Sequence, residues 1–216
     1  MRSNITLKNF ENKIKLSEKK KLLNFLNKIN NLQWPGFLRS YKKNYIYSYD
    51  KKFLNKYQKF KSINIIGMGG SSLGTKAIYS FLRDKIKKKF FFFENLNLKK
   101  NNQHKGLNII ISKSGNTLET LSNFSTVYHR TNKNIFITEN KNNYLHDLAK
   151  KLRADIVHHN NYIGGRYSVL SEVGMLPAEL MGLKSSNFRQ LNSLVKNKNY
   201  MNALIQNVSA TIYYFK

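Results

Sequence analysis

The sequence predicts an α/β protein: a doubly wound parallel sheet preceded by an N-terminal helical arm and followed by helices. Three observations lead there. Short apolar runs of strand length alternate with amphipathic helical stretches from about residue 62 onward, the pattern of parallel βαβ units. Two of the runs end directly in Ser- and Gly-rich turns. Each of those turns opens a helix, the arrangement in which open α/β sheets gather ligands.

Residues 17–29, SEKKKLLNFLNKI, put Leu22, Leu23, Phe25, Leu26 and Ile29 on one helical stripe after a candidate Ser17 cap. A break follows at Trp34-Pro35-Gly36, and residues 50–60 form a second lysine-rich helix with Phe53, Leu54, Tyr57 and Phe60 as its apolar face. The period then changes. Ile63–Gly67 reads as a buried strand, followed by a helix through 77–82 and strands at 91–95 and 107–112. Further on come a helix over 117–128, a strand over 134–138, a helix over 144–151 and a short strand over 155–158. The glycine-bounded stretch 164–174 leads to a helix over 177–181, and only helices follow. Three segments result: a helical segment 1–60, an α/β domain 61–182 and a helical segment 183–216.

The chain has 216 residues, 41% of them hydrophobic and 13% aromatic, enough to bury one core. Lys and Arg total 38 against 11 Asp and Glu, a net charge of +27. Such an excess can mark a nucleic-acid surface. Here the cations are almost all Lys, scattered among Asn, Ile, Phe and Tyr, the bias of an A+T-rich genome, and Arg is scarce. The charge is therefore read as solvated surface that also attracts small anions, with no nucleic-acid partner. With no cysteine, disulfides and thiolate metal sites are unavailable, and a reducing, cytoplasmic setting is expected. No apolar run reaches membrane-span or signal length, so no membrane partner is expected.

Three motifs carry chemistry. Gly67-Met68-Gly69-Gly70-Ser71-Ser72-Leu73-Gly74 follows a strand and opens a helix, where free amides and the helix dipole favour an anion. It matches neither the spaced dinucleotide fingerprint nor the lysine-bearing nucleotide loop, and a structural tight turn is the plain alternative. Ser112-Lys113-Ser114-Gly115-Asn116-Thr117-Leu118-Glu119-Thr120 repeats the arrangement after the next apolar strand, and its hydroxyls can converge on one oxyanion. An ordinary helix cap would account for one hydroxyl, not three. Gly164-Gly165-Arg166-Tyr167-Ser168-Val169-Leu170-Ser171 presents a guanidinium from a tight loop.

GMGGSSLG, ISKSGNTLET and GGRYSVLSEVGMLPAEL, in this order, resemble the phosphoglucose isomerase family over roughly residues 60–182. The resemblance implies a sugar isomerase (SIS-type, flavodoxin-like) domain. Gly70, Ser71 and Gly165 would line the substrate site, Ser112, Lys113, Ser114 and Thr117 would hold the phosphate, and Arg166 would stabilise an enediolate. Glu119 would take a supporting role, its plain alternative being a glutamate that offsets the helix dipole. Neither cofactor nor metal is implied, and the family is typically dimeric. The family's proton-transferring glutamate, its ring-opening histidine and a further lysine are expected beyond Lys216, so these residues alone are expected to bind sugar phosphate with little or no turnover. A non-catalytic sugar-phosphate-binding regulatory module and a basic nucleic-acid-binding protein are the competing readings. The latter rests on charge alone.

Overall fold

In a computed structural model of the chain, the described residues are 17, 20–25, 36–96, 106–190 and 197–214. They fall into two compact units: Gly36–Ser186, and a second drawn from the chain before Gly36 and after Ser186. The first holds a five-stranded sheet of β1 (Ser62–Ile66), β2 (Lys89–Phe93), β3 (Leu107–Ile111), β4 (Lys133–Glu139) and β5 (Asp155–His159), in the order β2-β1-β3-β4-β5. Every pairing is parallel. The predicted doubly wound sheet is present.

Helices α1 (Lys51–Tyr57), α2 (Leu73–Phe81), α3 (Leu118–Val127), α4 (Tyr144–Lys151) and α5 (Glu172–Leu180) belong to the same unit. The order reverses between β1 and β3. Right-handed crossovers then put α2 on one face of the sheet and α3 with α4 on the other. On the α3/α4 face, Ile66, Ile110 and Phe136 pack with Phe124, Val127, Leu145 and Ala149. On the opposite face Ile63, Ile65, Ile109, Ile135 and Ile137 are fully buried. Each such side chain contributes roughly 1.5–3 kcal/mol relative to exposure. These strands are buried on both sides, which is why they read as continuous apolar runs.

Asparagines interrupt those runs in register. Asn64 pairs with Asn108 and Asn108 with Asn134 across β1, β3 and β4. Their buried carboxamides form a ladder, Asn64 Nδ2 donating to Asn108 Oδ1 at 2.8 Å and Asn108 Nδ2 to Asn134 Oδ1 at 2.9 Å. A one-residue slip of β1 against β3 would break the ladder and turn apolar side chains to the wrong face.

Local differences from the sequence expectation have local causes. The aromatic strand is shifted to Lys89–Phe93, because Glu94 turns away to meet Ser72 and Lys76. The helix expected over 177–181 starts instead at Glu172, capped by Ser171, and carries Pro177 in its interior. Pro177 lacks the N–H that would bond the Val173 carbonyl. The Thr75 hydroxyl of α2 donates to that carbonyl at 3.2 Å and satisfies it. Helix α4 ends in a Schellman turn, with Ala154 N donating to Ala149 O and Arg153 N to Lys150 O. Arg153 has φ 48° there, a left-handed conformation that costs a non-glycine residue about 1 kcal/mol.

In the second unit residues 20–25 are helical, and Leu23 and Phe25 of the expected stripe are 38% and 60% exposed. Leu26, Ile29, Trp34 and Pro35 lie outside the described residues. Helix α6 (Lys198–Tyr214) starts from Asn197, whose Oδ1 accepts from Asn199 N and Tyr200 N. Among the described residues no helix is long and apolar enough to cross a membrane.

Two stability predictions follow from these contacts. Asn108→Ala strips partners from buried Asn64 and Asn134 and is expected to lower unfolding free energy by about 3 kcal/mol in urea titration; a loss no larger than that of exposed Asn161→Ala would refute the ladder's role. Asp155 accepts from Lys56 Nζ at 2.5 Å and from the Tyr57 hydroxyl. Burial pushes its pKa up, but hydrogen bonds from Lys56 and Tyr57 and the charges of Lys56 and Lys133 outweigh this and hold it below the usual value. A depressed folded-state pKa gives stability that is present above about pH 4 and lost as pH falls through the folded value. The acid-side drop in the urea midpoint should therefore be smaller in Asp155→Asn; identical drops would exclude this assignment.

Candidate functional site

The carboxyl ends of β1 and β3, the two strands flanking the reversal of strand order, each release one of the Ser/Gly loops. This is where flavodoxin-like sheets seat ligands. The first loop leaves β1 at Gly67, whose N–H donates to Phe93 O at 3.2 Å. A Cβ on Gly67 would lie 2.9 Å from Ile111 O and 3.0 Å from Ser71 Cβ, so the loop runs hard against the end of β3. A 3-10 turn, Gly69–Ser71, then leads into α2.

The second loop folds on itself. Ser112 Oγ lies 2.8 Å from Thr117 Oγ1 and accepts from Gly115 N at 3.2 Å. Gly115 has φ +71°, and a Cβ there would meet the Asn143 side chain at 2.1 Å, so glycine is needed on both counts. Asn116 Oδ1 and Gly115 O accept from Tyr144 N and Leu145 N, tying the loop to the start of α4.

The third motif forms a 3-10 turn, Gly165–Leu170, packed on the first loop. A Cβ on Gly70 would lie 2.5 Å from the Gly165 carbonyl group. Ser168 Oγ sits 2.9 Å from Gly70 O and 2.8 Å from Gly165 O and joins the two turns. The structure thus brings Gly70, Ser71 and Gly165 together, and separately Ser112 with Thr117, at one edge of the sheet. Ser114 is exposed on its loop, and half-buried Lys113 points its ammonium to Glu139 Oε1 at 3.6 Å. Exposed Arg166 and half-buried Glu119 make no hydrogen bond or ion pair among the described residues.

Helix capping separates this edge from the rest of the unit. Asp50, Asn143 and Ser171 cap α1, α4 and α5 with side-chain oxygens. Helices α2 and α3, which open from the two Ser/Gly loops, have no side-chain cap. Ser72 Oγ donates to Glu94 Oε1 at 2.9 Å instead, and Thr117 faces Ser112. The first-turn amides of both helices, with their positive dipole ends, are left for an external acceptor. Among the described residues no cluster of His, Asp or Glu suits a metal.

A buried network behind the arginine turn joins His159 and Glu172, which no motif spacing links. His159 and Glu172 side chains are 2% and 0% exposed, with Nδ1 and Oε2 3.5 Å apart. His159 Nε2 lies 3.0 Å from Ile163 O and so donates to it, while Glu172 Oε1 accepts from the Tyr45 hydroxyl at 2.9 Å and from Ser48 N at 3.4 Å. Burial first, then the Glu172 charge, pushes the Tyr45 pKa far up and keeps the phenol protonated. On the outer side, Phe37 packs on Tyr167 with ring centroids 4.6 Å apart. The only signal in sequence was Glu172 in an otherwise apolar stretch.

The sequence profile of phosphoglucose isomerase matches residues 48–210. The chain belongs to the phosphoglucose isomerase family. Among its relatives, glucose-6-phosphate isomerase of Methanocaldococcus jannaschii is 33% identical over 181 residues, 72% of this chain and 44% of that protein. The glucose-6-phosphate isomerase of Acholeplasma laidlawii is 32% identical, covering 73% of this chain and 46% of that protein. The chain spans less than half the length of these curated relatives. A hypothetical protein of Thermus thermophilus shares the fold with TM-score 0.66 at 21% identity, over 89% of this chain and 52% of that one. Tagatose-6-phosphate ketose/aldose isomerase of Escherichia coli does so with TM-score 0.51 at 18% identity, over 64% and 44%.

The glycine contact gives a paired prediction. Gly70→Ala must drive the first and third loops apart, whereas a Cβ on Gly165 would sit at an ordinary 3.4 Å from Gly70 Cα. Gly70→Ala is expected to cost about 1–3 kcal/mol in thermal unfolding and Gly165→Ala well under 1 kcal/mol; the reverse order would show that the turns do not touch.

Proposed function

We propose that these residues form the phosphate-binding part of a glucose-6-phosphate isomerase, acting on glucose 6-phosphate and fructose 6-phosphate in the cytoplasm. The observation that supports this reading most is the pair of uncapped helix starts, α2 and α3, beside the Ser112–Thr117 hydroxyl pair. In this reading Ser112, Ser114 and Thr117 donate to the phosphate, with the Gly115–Thr117 turn and the α3 dipole adding to its field. Lys113 contributes long-range charge from its position beside Glu139.

The Gly70–Gly165 contact sets the sugar against the third loop, from which Arg166 reaches the substrate. Isomerisation moves a proton from C2 to C1 of the open-chain sugar through a cis-enediolate, and the oxygen that gains charge needs a fixed cation. Arg166, unpaired with any carboxylate among the described residues, supplies it. Glu119, in the first turn of α3, supports the site without transferring the proton. The Glu–His contact of Glu172 and His159 is sealed at 0% and 2% exposure, so it is no proton shuttle for a bound sugar. Residues 1–216 alone are accordingly expected to bind without appreciable turnover, and homodimerisation is proposed for the complete protein.

Calorimetric titration tests the reading. Glucose 6-phosphate and fructose 6-phosphate should bind, glucose should not, and Ser114→Ala/Thr117→Ala should weaken both phosphates about tenfold or more. Equal binding of glucose and its phosphate, or no effect of the double substitution, would discard the assignment.

A further inference from the structure

The opposite edge of the sheet carries a second concave region. The end of α1, the turn entering β4 and the turn between α4 and β5 enclose a cavity of about 210 Å³. Its lining includes Lys56, Lys59, Arg130, Lys133, Arg153 and Asp155. Five cations thus face one carboxylate. Lys56 is bound to Asp155, and the Lys133 charge acts on the same carboxylate. Lys59, Arg130 and Arg153 make no ion pair among the described residues.

In a chain of net charge +27, exposed lysines are background. Two features set this place apart. Arginine is scarce in the sequence, yet two arginines stand here on adjacent turns, just before β4 and β5. Arg153 is also the single non-glycine residue with positive φ among the described residues, in the Schellman position that glycine fills without strain. Strained side-chain-bearing positions point to a role for the side chain. Here that side chain is a planar cation at the rim of a cavity with surplus positive charge.

We propose that this cavity is a second anion site, for a small polyanion of the diphosphate class. The Arg130 and Arg153 guanidinium groups would bind its oxygens, and Lys59 and Lys133 would neutralise the remaining charge. A compact cavity fits a small molecule better than the extended stripe that tracks a nucleic-acid backbone. The site is separate from the Ser/Gly loops, because β4 (Lys133–Glu139) leads away from it toward the carboxyl edge, and a strand of that length spans about 20 Å.

Hydrogen exchange with and without pyrophosphate, read by mass spectrometry, locates the binding, and calorimetry on variants measures it. Pyrophosphate is expected to protect peptides covering 128–134 and 151–156. Arg130→Ala and Arg153→Gly should each weaken it roughly fivefold or more. Arg153→Gly should do so while raising Tm, since glycine relieves the backbone, so lost binding cannot be attributed to lost folding. Lys85→Ala/Lys87→Ala, which removes two charges before β2 on the far side of the sheet, should change affinity less than twofold. Protection confined to 112–118 would overturn the proposal. So would equal weakening by the Lys85/Lys87 pair, a Tm gain in Arg153→Gly with affinity unchanged, or displacement of pyrophosphate from the cavity by short duplex DNA.

Discussion

The pairing of β1 with β3 is the constraint on which the rest of the unit depends. The strand order reverses between them, so the helices that follow leave to opposite faces, and the loops at their carboxyl ends stand side by side. The Asn64–Asn108 contact fixes the register of that pair. Isoleucines alone define the faces of the sheet but fix register less sharply, because neighbouring isoleucines are near-equivalent partners. The buried carboxamides add a directional requirement that only one alignment meets.

The third loop is held from two sides. In front, Gly70 and Gly165 meet with no room for a side chain on Gly70, and Ser168 joins their carbonyls. Behind, Glu172 collects bonds from the segment before α1, and His159 braces Ile163. The exposed arginine at 166 therefore rides on a turn that leads into α5, whose residues are almost all buried. Binding a ligand there would require little ordering of the backbone, which favours affinity.

Much of this was legible in the sequence, and the reasons are specific. Leu107–Ile111 and Tyr144–Lys151 could be delimited because an apolar run and an amphipathic period end at clear turn signals. The Ser/Gly loops announced themselves because an anion site needs small and hydroxylated residues at a strand end. What stayed hidden depends on contacts between distant residues. Pro177 reads as a helix start until Thr75 is seen to satisfy the carbonyl it orphans. The aromatic run 90–93 has no internal boundary, and its end is set by where Glu94 finds Ser72. His159 and Glu172 lie thirteen positions apart without any motif spacing, so their burial together could only be seen in the fold.

The Tyr45–Glu172 bond joins positions separated by 127 residues. As the polypeptide leaves the ribosome, the β1–β2 hydrophobic layer can begin to assemble long before Glu172 has been made, while Tyr45 waits without its acceptor. The arginine turn is thus braced only once α5 has been made, and a nascent protein halted before α5 would carry its third loop without the Glu172 anchor.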